Sequence, residues 1–235
     1  MKKVFRYSLR HSLPIFISFI PVGLAYGIYM QSEGFAWYWA GFCSLSVFAG
    51  SLQFVMVDFF KSGIDLFSVA GTALFVNSRH IFYGLPFMEK WKDYGLSRYF
   101  LIYAFPDEAF SLHCSNDFDD GCEEHKKMSY VFDAALVLVY WVVLSTFGGL
   151  VGSLLPIDTA GIDFALTALF IVIVVEQLRS LKGRFLPPII AAASSALCLL
   201  ILGPDSFILP SLLLTACVLL ALQSIIEPKK EVSSC

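Results

Sequence analysis

Long apolar runs separated by short polar stretches dominate the hydrophobic pattern of this chain. A helix that spans a bilayer needs about 20 mostly apolar residues, whereas a membrane β-strand alternates apolar and polar positions. The runs are continuous rather than alternating, which predicts helices. The pattern gives eight candidate segments, at residues 12–31, 36–60, 64–88, 97–112, 128–155, 160–178, 185–203 and 206–226.

Composition supports the same class. Of the 235 residues, 57% are hydrophobic and 15% are charged, whereas a soluble domain is usually about 25% charged. The net charge of −3 argues against a nucleic-acid partner, and the six scattered cysteines form no disulfide framework. We therefore predict an all-α, polytopic transmembrane bundle with some broken or re-entrant segments, in which the lipid bilayer acts as solvent.

The only substantial polar loop separates the first four segments from the last four. The gaps elsewhere are too short for a soluble domain, so we expect one integral membrane domain. Its parts outside the bilayer are predicted to be the N-terminus at 1–11, the main loop at 113–127 and the tail at 227–235.

The distribution of Lys and Arg predicts the orientation. Eight spans place both termini on one side, and twelve basic residues fall there against three on the other side, Lys90, Lys92 and Arg98. Because cytoplasmic loops are enriched in Lys and Arg, both termini and the main loop are predicted to be cytoplasmic, in the inner membrane. The basic 90–98 loop is the misfit, and it indicates that segments 64–88 and 97–112 are the broken or re-entrant ones.

Polar residues inside the apolar runs are the candidate functional residues, because an intramembrane charge is costly and usually marks a pathway or site. In the second half, Asp133 and Glu176 are both expected at the membrane interface. The candidates lie in the first half, at Gln53, Asn77, Arg79, His80, Tyr83, Asp107 and Glu108, together with the small residue Gly50.

Two prolines mark expected helix breaks. Pro106 suits the first position of a helix, so we expect a break near Phe105. The residues that follow it, Asp107 and Glu108, would then occupy a first turn, where the helix dipole favours negative charge. Pro21 is the second expected break. Broken helices at membrane depth are tolerated where they line a cavity or are buried in protein.

Structural roles are the alternatives for these residues. Arg79 with Asp107 or Glu108 could be an ion pair that only locks two helices. His80 could be a core residue, although histidine is the side chain that can change its charge near neutral pH. Gly50 could serve close helix packing.

Four stretches together are distinctive: Ile20-Pro21-Val22-Gly23-Leu24-Ala25-Tyr26-Gly27, Ala49-Gly50-Ser51-Leu52-Gln53-Phe54, Asn77-Ser78-Arg79-His80-Ile81-Phe82-Tyr83-Gly84 and Pro106-Asp107-Glu108-Ala109-Phe110. In these stretches the chain resembles the AzlC-type permease family, the large subunits of two-component branched-chain amino acid exporters. The third stretch is the most specific, and Pro106 stands where the family usually has Thr.

The resemblance implies export of branched-chain or other hydrophobic amino acids, together with a small multi-spanning AzlD-type partner subunit. A zwitterionic substrate would use Gly50, Gln53, Asn77, Arg79 and Tyr83 for binding, while the proton-coupling candidates are His80, Asp107 and Glu108. The chain contains no nucleotide-binding P-loop, so we expect no cofactor and a secondary mechanism, either proton-coupled or exchange.

Two other kinds of function remain open. The chain could be an ion or small-metabolite channel, or a structural membrane subunit of a larger complex. An enzyme is disfavoured, because the sequence contains neither His-Glu-x-x-His nor Gly-x-Ser-x-Gly. No ligand set with common metal-site spacing is present, so no metal is expected.

Overall fold

The computed structural model describes residues 1–78, 80, 84, 87–154, 171, 174, 175, 178, 185–203 and 207–222. Within these ranges the regular secondary structure is helical and contains no strand, which confirms the all-α class. The helices that can be delimited there are α1 Lys2–Ser32, α2 Trp37–Ser46, α3 Gly50–Ser62, α4 Leu66–Asn77, α5 Ser97–Tyr103, α6 Asp107–Ser115, α7 Glu123–Leu154, α8 Leu186–Leu202 and α9 Ile208–Ala221.

Two of these helices are long and apolar enough to cross a membrane. Helices α1 and α7 have 31 and 32 residues, and at about 1.5 Å per residue each exceeds a hydrocarbon core of about 30 Å. Helices α4 and α8 are apolar but shorter. The predicted count of eight spanning segments is therefore not confirmed, and segment 160–178 lies almost wholly outside the described residues.

The chain divides into two compact units. The first comprises Met1–Ile64 and Val76–Leu166, and the second comprises Asp65–Phe75 and Thr167–Cys235. In the described part of the second unit, α8 packs against α9. In the first unit α7 is the central helix, and it packs against α1, α2, α5 and α6.

Helices α1 and α7 run in the same direction and keep one register along their length. Toward their N-terminal ends, the Ser8 hydroxyl donates to the carbonyl of Ser129 at 3.2 Å. Toward their C-terminal ends, a Cβ added at Gly152 would meet Oε1 of Gln31 at 3.2 Å. Both contacts join residues 121 positions apart, so the two helices are parallel and place their N-termini at the same end of the unit.

Glycines allow the backbones of α1 and α7 to touch. A Cβ at Gly27 would overlap the carbonyl oxygen of Ser145 and the amide nitrogen of Gly149. One turn earlier on α1, a Cβ at Gly23 would come within 2.8 Å of Cβ of Leu144. We call this contact of Gly23 and Gly27 with α7 the glycine seam. Because only glycine fits such close approaches, the seam fixes which faces of the two helices meet.

Helix α1 continues without interruption through Pro21, so the predicted break there is wrong. A proline inside a helix removes one backbone hydrogen bond and strains the preceding turn. Here the following turns carry Gly23 and Gly27, which dock on α7. This packing stabilises the helix around the proline. Gly23 and Gly27, which together with Pro21 predicted a break, instead form the contact with α7.

A break does occur at the end of α5. Helix α5 ends at Tyr103, and α6 begins at Asp107 with Pro106 as its N-cap residue. A second interruption separates α2 from α3 within segment 36–60, at residues 47–49. There Phe48 has a φ of 43°, in the left-handed region that costs a non-glycine residue about 1–2 kcal/mol.

We expect Gly27→Ala to destabilise the protein more than Gly50→Ala. The added methyl group at position 27 overlaps backbone atoms of α7, whereas at position 50 its nearest neighbour is the Trp141 ring at 3.7 Å. Overpacking of this kind costs about 1–3 kcal/mol, which lowers Tm by roughly 2–12 °C for a chain of this size. Thermal unfolding of the purified variants in detergent measures the difference, and equal Tm values would refute a tight seam.

Candidate functional site

The predicted binding residue Gln53 lies in a buried polar network between α2, α3 and α7. Its side chain is wholly buried. Its amide nitrogen donates to the hydroxyl of Ser44 at 3.0 Å, and its amide oxygen accepts from the indole nitrogen of Trp141 at 2.8 Å. The Ser44 hydroxyl also bonds that of Ser145, at 2.8 Å. Gln53 would have to give up these bonds to contact a substrate.

Aromatic rings surround this network. Tyr26 stacks on Trp141 with ring centroids 6.1 Å apart and meets Phe54 edge to face at 5.4 Å. The ring of Phe19 meets that of Trp141 edge to face, with ring centroids 5.1 Å apart. The hydroxyl of Tyr26 is buried, with the polar side chains of Gln53 and Cys43 as its neighbours. An apolar wall with few polar groups is the usual composition of a small-molecule site.

Gly50 is the first residue of α3 and lies beside the same tryptophan. A Cβ at this position would touch the Trp141 ring only at an ordinary contact distance. Tight packing therefore does not require glycine at position 50. No side-chain hydrogen bond from the described residues caps this helix start.

The structure brings His80 and Asp107 together. Nε2 of His80 lies 3.4 Å from Oδ1 of Asp107, and both side chains are about one-third exposed. Asp107 is the first residue of α6, and Glu108 shares its first turn. The helix dipole favours negative charge there. A titratable pair thus stands where α6 begins, directly after the break.

The other predicted residues are only partly accounted for. Asn77 ends α4, and its side-chain oxygen is buried without a hydrogen bond to any residue that the structure describes. Arg79 and Tyr83 lie outside the described residues. The Gln53 side chain bonds Ser44 and Trp141, whereas Asp107 pairs with His80.

The two helix breaks of this unit lie beside each other. The Phe48 ring, in the first break, packs on the ring of Tyr103, the last residue before the second break, at 6.3 Å. The Tyr103 hydroxyl donates to the carbonyl of Leu45. That carbonyl belongs to the last turn of α2, where carbonyls lack a donor within the helix. Tyr103, which precedes the second break, therefore supplies a hydrogen bond to a carbonyl at the first break.

A second histidine–aspartate pair was missed by the sequence analysis. Nδ1 of His11 lies 3.2 Å from Oδ2 of Asp133, and the same oxygen accepts from the Asn116 amide at 2.9 Å. Asp133 is wholly buried within the protein, and its expected place at the membrane interface stays a prediction. Sequence spacing could not reveal the pair, because its members are 122 residues apart.

The geometry is that of an α-helical integral membrane protein. Long apolar helices that run parallel, a glycine seam and charged residues at interrupted helices are typical of α-helical integral membrane proteins. Exposed aromatic side chains at the start of α2, on Trp37, Tyr38 and Trp39, fit a membrane–water interface.

Comparison with known proteins gives the family. The model of the family described as AzlC protein matches residues 14–155. The branched-chain amino acid transport protein AzlC of Bacillus subtilis is 34% identical over 229 residues, which cover 97% of this chain and 89% of that protein. The chain belongs to the AzlC family.

Other relatives are named only as membrane proteins. An uncharacterized membrane protein of Haemophilus influenzae is 34% identical over 206 residues, covering 86% of this chain and 82% of that protein. One of Helicobacter pylori is 30% identical over 229 residues, covering 96% of this chain and 97% of its own. These names support a membrane location. No solved structure matches the chain.

We expect Trp141→Phe to lower the stability of the protein by about 1–3 kcal/mol, because it leaves the buried amide oxygen of Gln53 without its indole donor. Trp39→Phe is the matched control, since Trp39 is 43% exposed. Thermal unfolding followed by circular dichroism measures both. A Tm for Trp141→Phe as high as that of the control would mean that the network contributes little.

Proposed function

We propose that this chain is the membrane subunit of an exporter of branched-chain or other hydrophobic amino acids. It acts as one transport domain in the inner membrane, together with a small AzlD-type subunit. Similarity to a relative named as a branched-chain amino acid transport protein, over nearly the whole chain, supports this substrate class. Family membership supports the broader role in membrane transport.

The observation that carries the mechanism is the His80–Asp107 pair at the start of α6. Ionisable side chains are costly inside apolar segments and persist there mainly when they serve a pathway or a proton relay. Imidazole changes its charge near neutral pH, whereas a carboxylate of ordinary pKa does not. The pair therefore supplies the candidate groups for proton coupling in this proposal.

A zwitterionic amino acid needs one partner for each of its charges. In this proposal Arg79, or the N-terminus of a helix that starts at a break, takes the substrate carboxylate. Asp107 and Glu108 face the ammonium group, while Asn77 and Tyr83 supply further polar contacts. The aromatic wall around Gly50 and Gln53 accommodates the apolar side chain.

Proton coupling follows from competition for Asp107. When His80 is protonated, its imidazolium pairs with Asp107 and withdraws that carboxylate from the substrate ammonium. When His80 is neutral, its attraction for the Asp107 carboxylate weakens, and Asp107 can pair with the substrate ammonium. Because proton and amino acid then exclude each other, the pair meets the basic requirement of an antiporter. A proton entering from outside displaces the amino acid in exchange.

We expect Asp107→Asn and His80→Gln each to lower leucine efflux about tenfold or more. Each substitution removes one member of the pair, and a loss of about 1.4 kcal/mol of transition-state stabilisation lowers the rate tenfold. Efflux of radiolabelled leucine from preloaded cells that express this chain and its small partner measures the effect.

Asp93→Asn is the matched control, because Asp93 lies in an exposed loop. Membrane abundance is measured for every variant. Efflux that stays normal in both His80→Gln and Asp107→Asn, at normal abundance, would remove this pair from the mechanism. Cells without the chain that export leucine equally fast would refute the proposed function itself.

The proposed orientation places both termini and the 113–127 loop in the cytoplasm. The parallel arrangement of α1 and α7 supports it, because the N-terminus and the loop before α7 then lie at the same end of the unit. The main loop carries exposed Cys122, while Cys43 and Cys198 are buried.

A variant with Ser at positions 114, 217 and 235 keeps Cys122 as the accessible thiol. We expect a membrane-impermeant maleimide to leave it unlabelled in intact cells and to label it in inverted vesicles, because the loop faces the cytoplasm. A permeant maleimide is the positive control in both preparations. Strong labelling from outside the cells would reverse the orientation.

A further inference from the structure

A cavity of about 830 Å³ opens at the N-terminal end of α1. It lies between the first turns of α1 and the C-terminal half of α6, where Ser111 and Ser115 line it. Sites for small ligands usually have volumes of about 300–1,000 Å³. The cavity is separate from the predicted site residues, since none of them lines it.

Three basic side chains of α1 line this cavity. Lys3, Arg6 and Arg10 are spaced by three and four residues, so they share one helix face. All three are exposed, and none makes an ion pair or hydrogen bond with a residue in the described part of the chain. Their charge is therefore available to a ligand.

The acidic groups near the cavity are already engaged. Asp117 lines it, and the hydroxyl of Tyr7 donates to Oδ1 of Asp117 at 2.7 Å. That bond holds the pKa of the Asp117 carboxyl below its ordinary value, so this group stays ionised at neutral pH. Asp133 lies behind His11 and is bonded by it. Three cations thus face one exposed carboxylate, which favours an anionic ligand.

The lining also changes from charged to apolar along α1. Past Arg10 the next lining residues are Pro14 and Ile15, and Leu112 of α6 lies with them. From Lys3 to Ile15 the helix rises roughly 18 Å, at about 1.5 Å per residue. The cavity therefore crosses from the charged end of a potential spanning helix into its apolar part. A ligand that fits both ends has an anionic head and an apolar tail.

We propose that this cavity binds the phosphate group of an anionic phospholipid. The guanidinium groups of Arg6 and Arg10 match two oxygens of a phosphate, and the hydroxyl of Ser111 can donate to a further oxygen. Ile15 and Leu112 contact the first part of an acyl chain. Basic pockets between membrane helices commonly hold lipid head groups. A soluble phosphate ester has the same phosphate group, but it has no acyl chain to contact the apolar end of the cavity. A phospholipid therefore fits the lining better.

The test measures the Tm of the purified full chain in detergent with added lipid. Phosphatidylglycerol should raise Tm by several degrees, whereas phosphatidylcholine and inorganic phosphate at the same concentration should not. In Lys3→Gln/Arg6→Gln/Arg10→Gln the apparent affinity for phosphatidylglycerol should fall about a hundredfold, which corresponds to about fivefold for each cation removed near the membrane surface.

The matched control is Lys2→Gln/Lys92→Gln/Lys126→Gln, which removes the same charge from residues that do not line the cavity. An equal loss of affinity in the control would show that lipid is attracted by overall charge, and it would overturn the proposal. Stabilisation by inorganic phosphate would assign the site to a soluble ligand instead. Stabilisation by leucine that the cavity variant abolishes would make the cavity a substrate vestibule.

Native mass spectrometry provides a second readout if the triple variant does not fold. The single variant Arg10→Gln should retain fewer bound phosphatidylglycerol molecules than Lys2→Gln does. Equal lipid occupancy in these two variants would also contradict the proposal. Neither readout depends on amino acid transport, so a failure of the lipid site and a failure of the proposed function can be told apart.

Discussion

The close approach of α1 and α7 is the constraint on which the first unit depends. Gly27 leaves no room for a side chain against α7, so the two backbones meet directly and the register of the helices is fixed. With this register, α7 presents Asp133 to His11 of α1 and Trp141 to Gln53 of α3. A helix pair held only by bulky apolar side chains could slide, and these polar partners would then be left unsatisfied in an apolar interior.

Beside this helix pair, two interruptions of the helical structure lie close to residues of the proposed site. An interruption exposes backbone groups that cannot be left unbonded at membrane depth. The bond from Tyr103 to the Leu45 carbonyl meets part of that need, and it joins the two breaks to each other. The same break that ends α5 lets Asp107 begin a new helix beside His80. The His80–Asp107 pair and the interruption therefore belong to one structural arrangement.

Much of this architecture could be predicted from local sequence. The apolar runs indicated α1 and α7, and Pro106 marked the start of α6, because each signal lies within a few residues. The contacts between distant residues could not be predicted: Asp133 has its partner 122 positions away, and the break at Phe48 has no proline. The predicted break at Pro21 is wrong for a related reason. Its effect on the helix is decided by packing against α7, which the local sequence does not record.

The central claim is that this chain, with a small partner subunit, moves hydrophobic amino acids in exchange for protons. Proteoliposomes that contain both subunits, radiolabelled leucine and an imposed pH gradient test it most directly. We expect the rate of leucine flux to increase with the size of the pH gradient in the absence of any nucleotide. The flux should stop when an ionophore dissipates the gradient. Flux that ignores the gradient and requires ATP with a further soluble subunit would contradict the account.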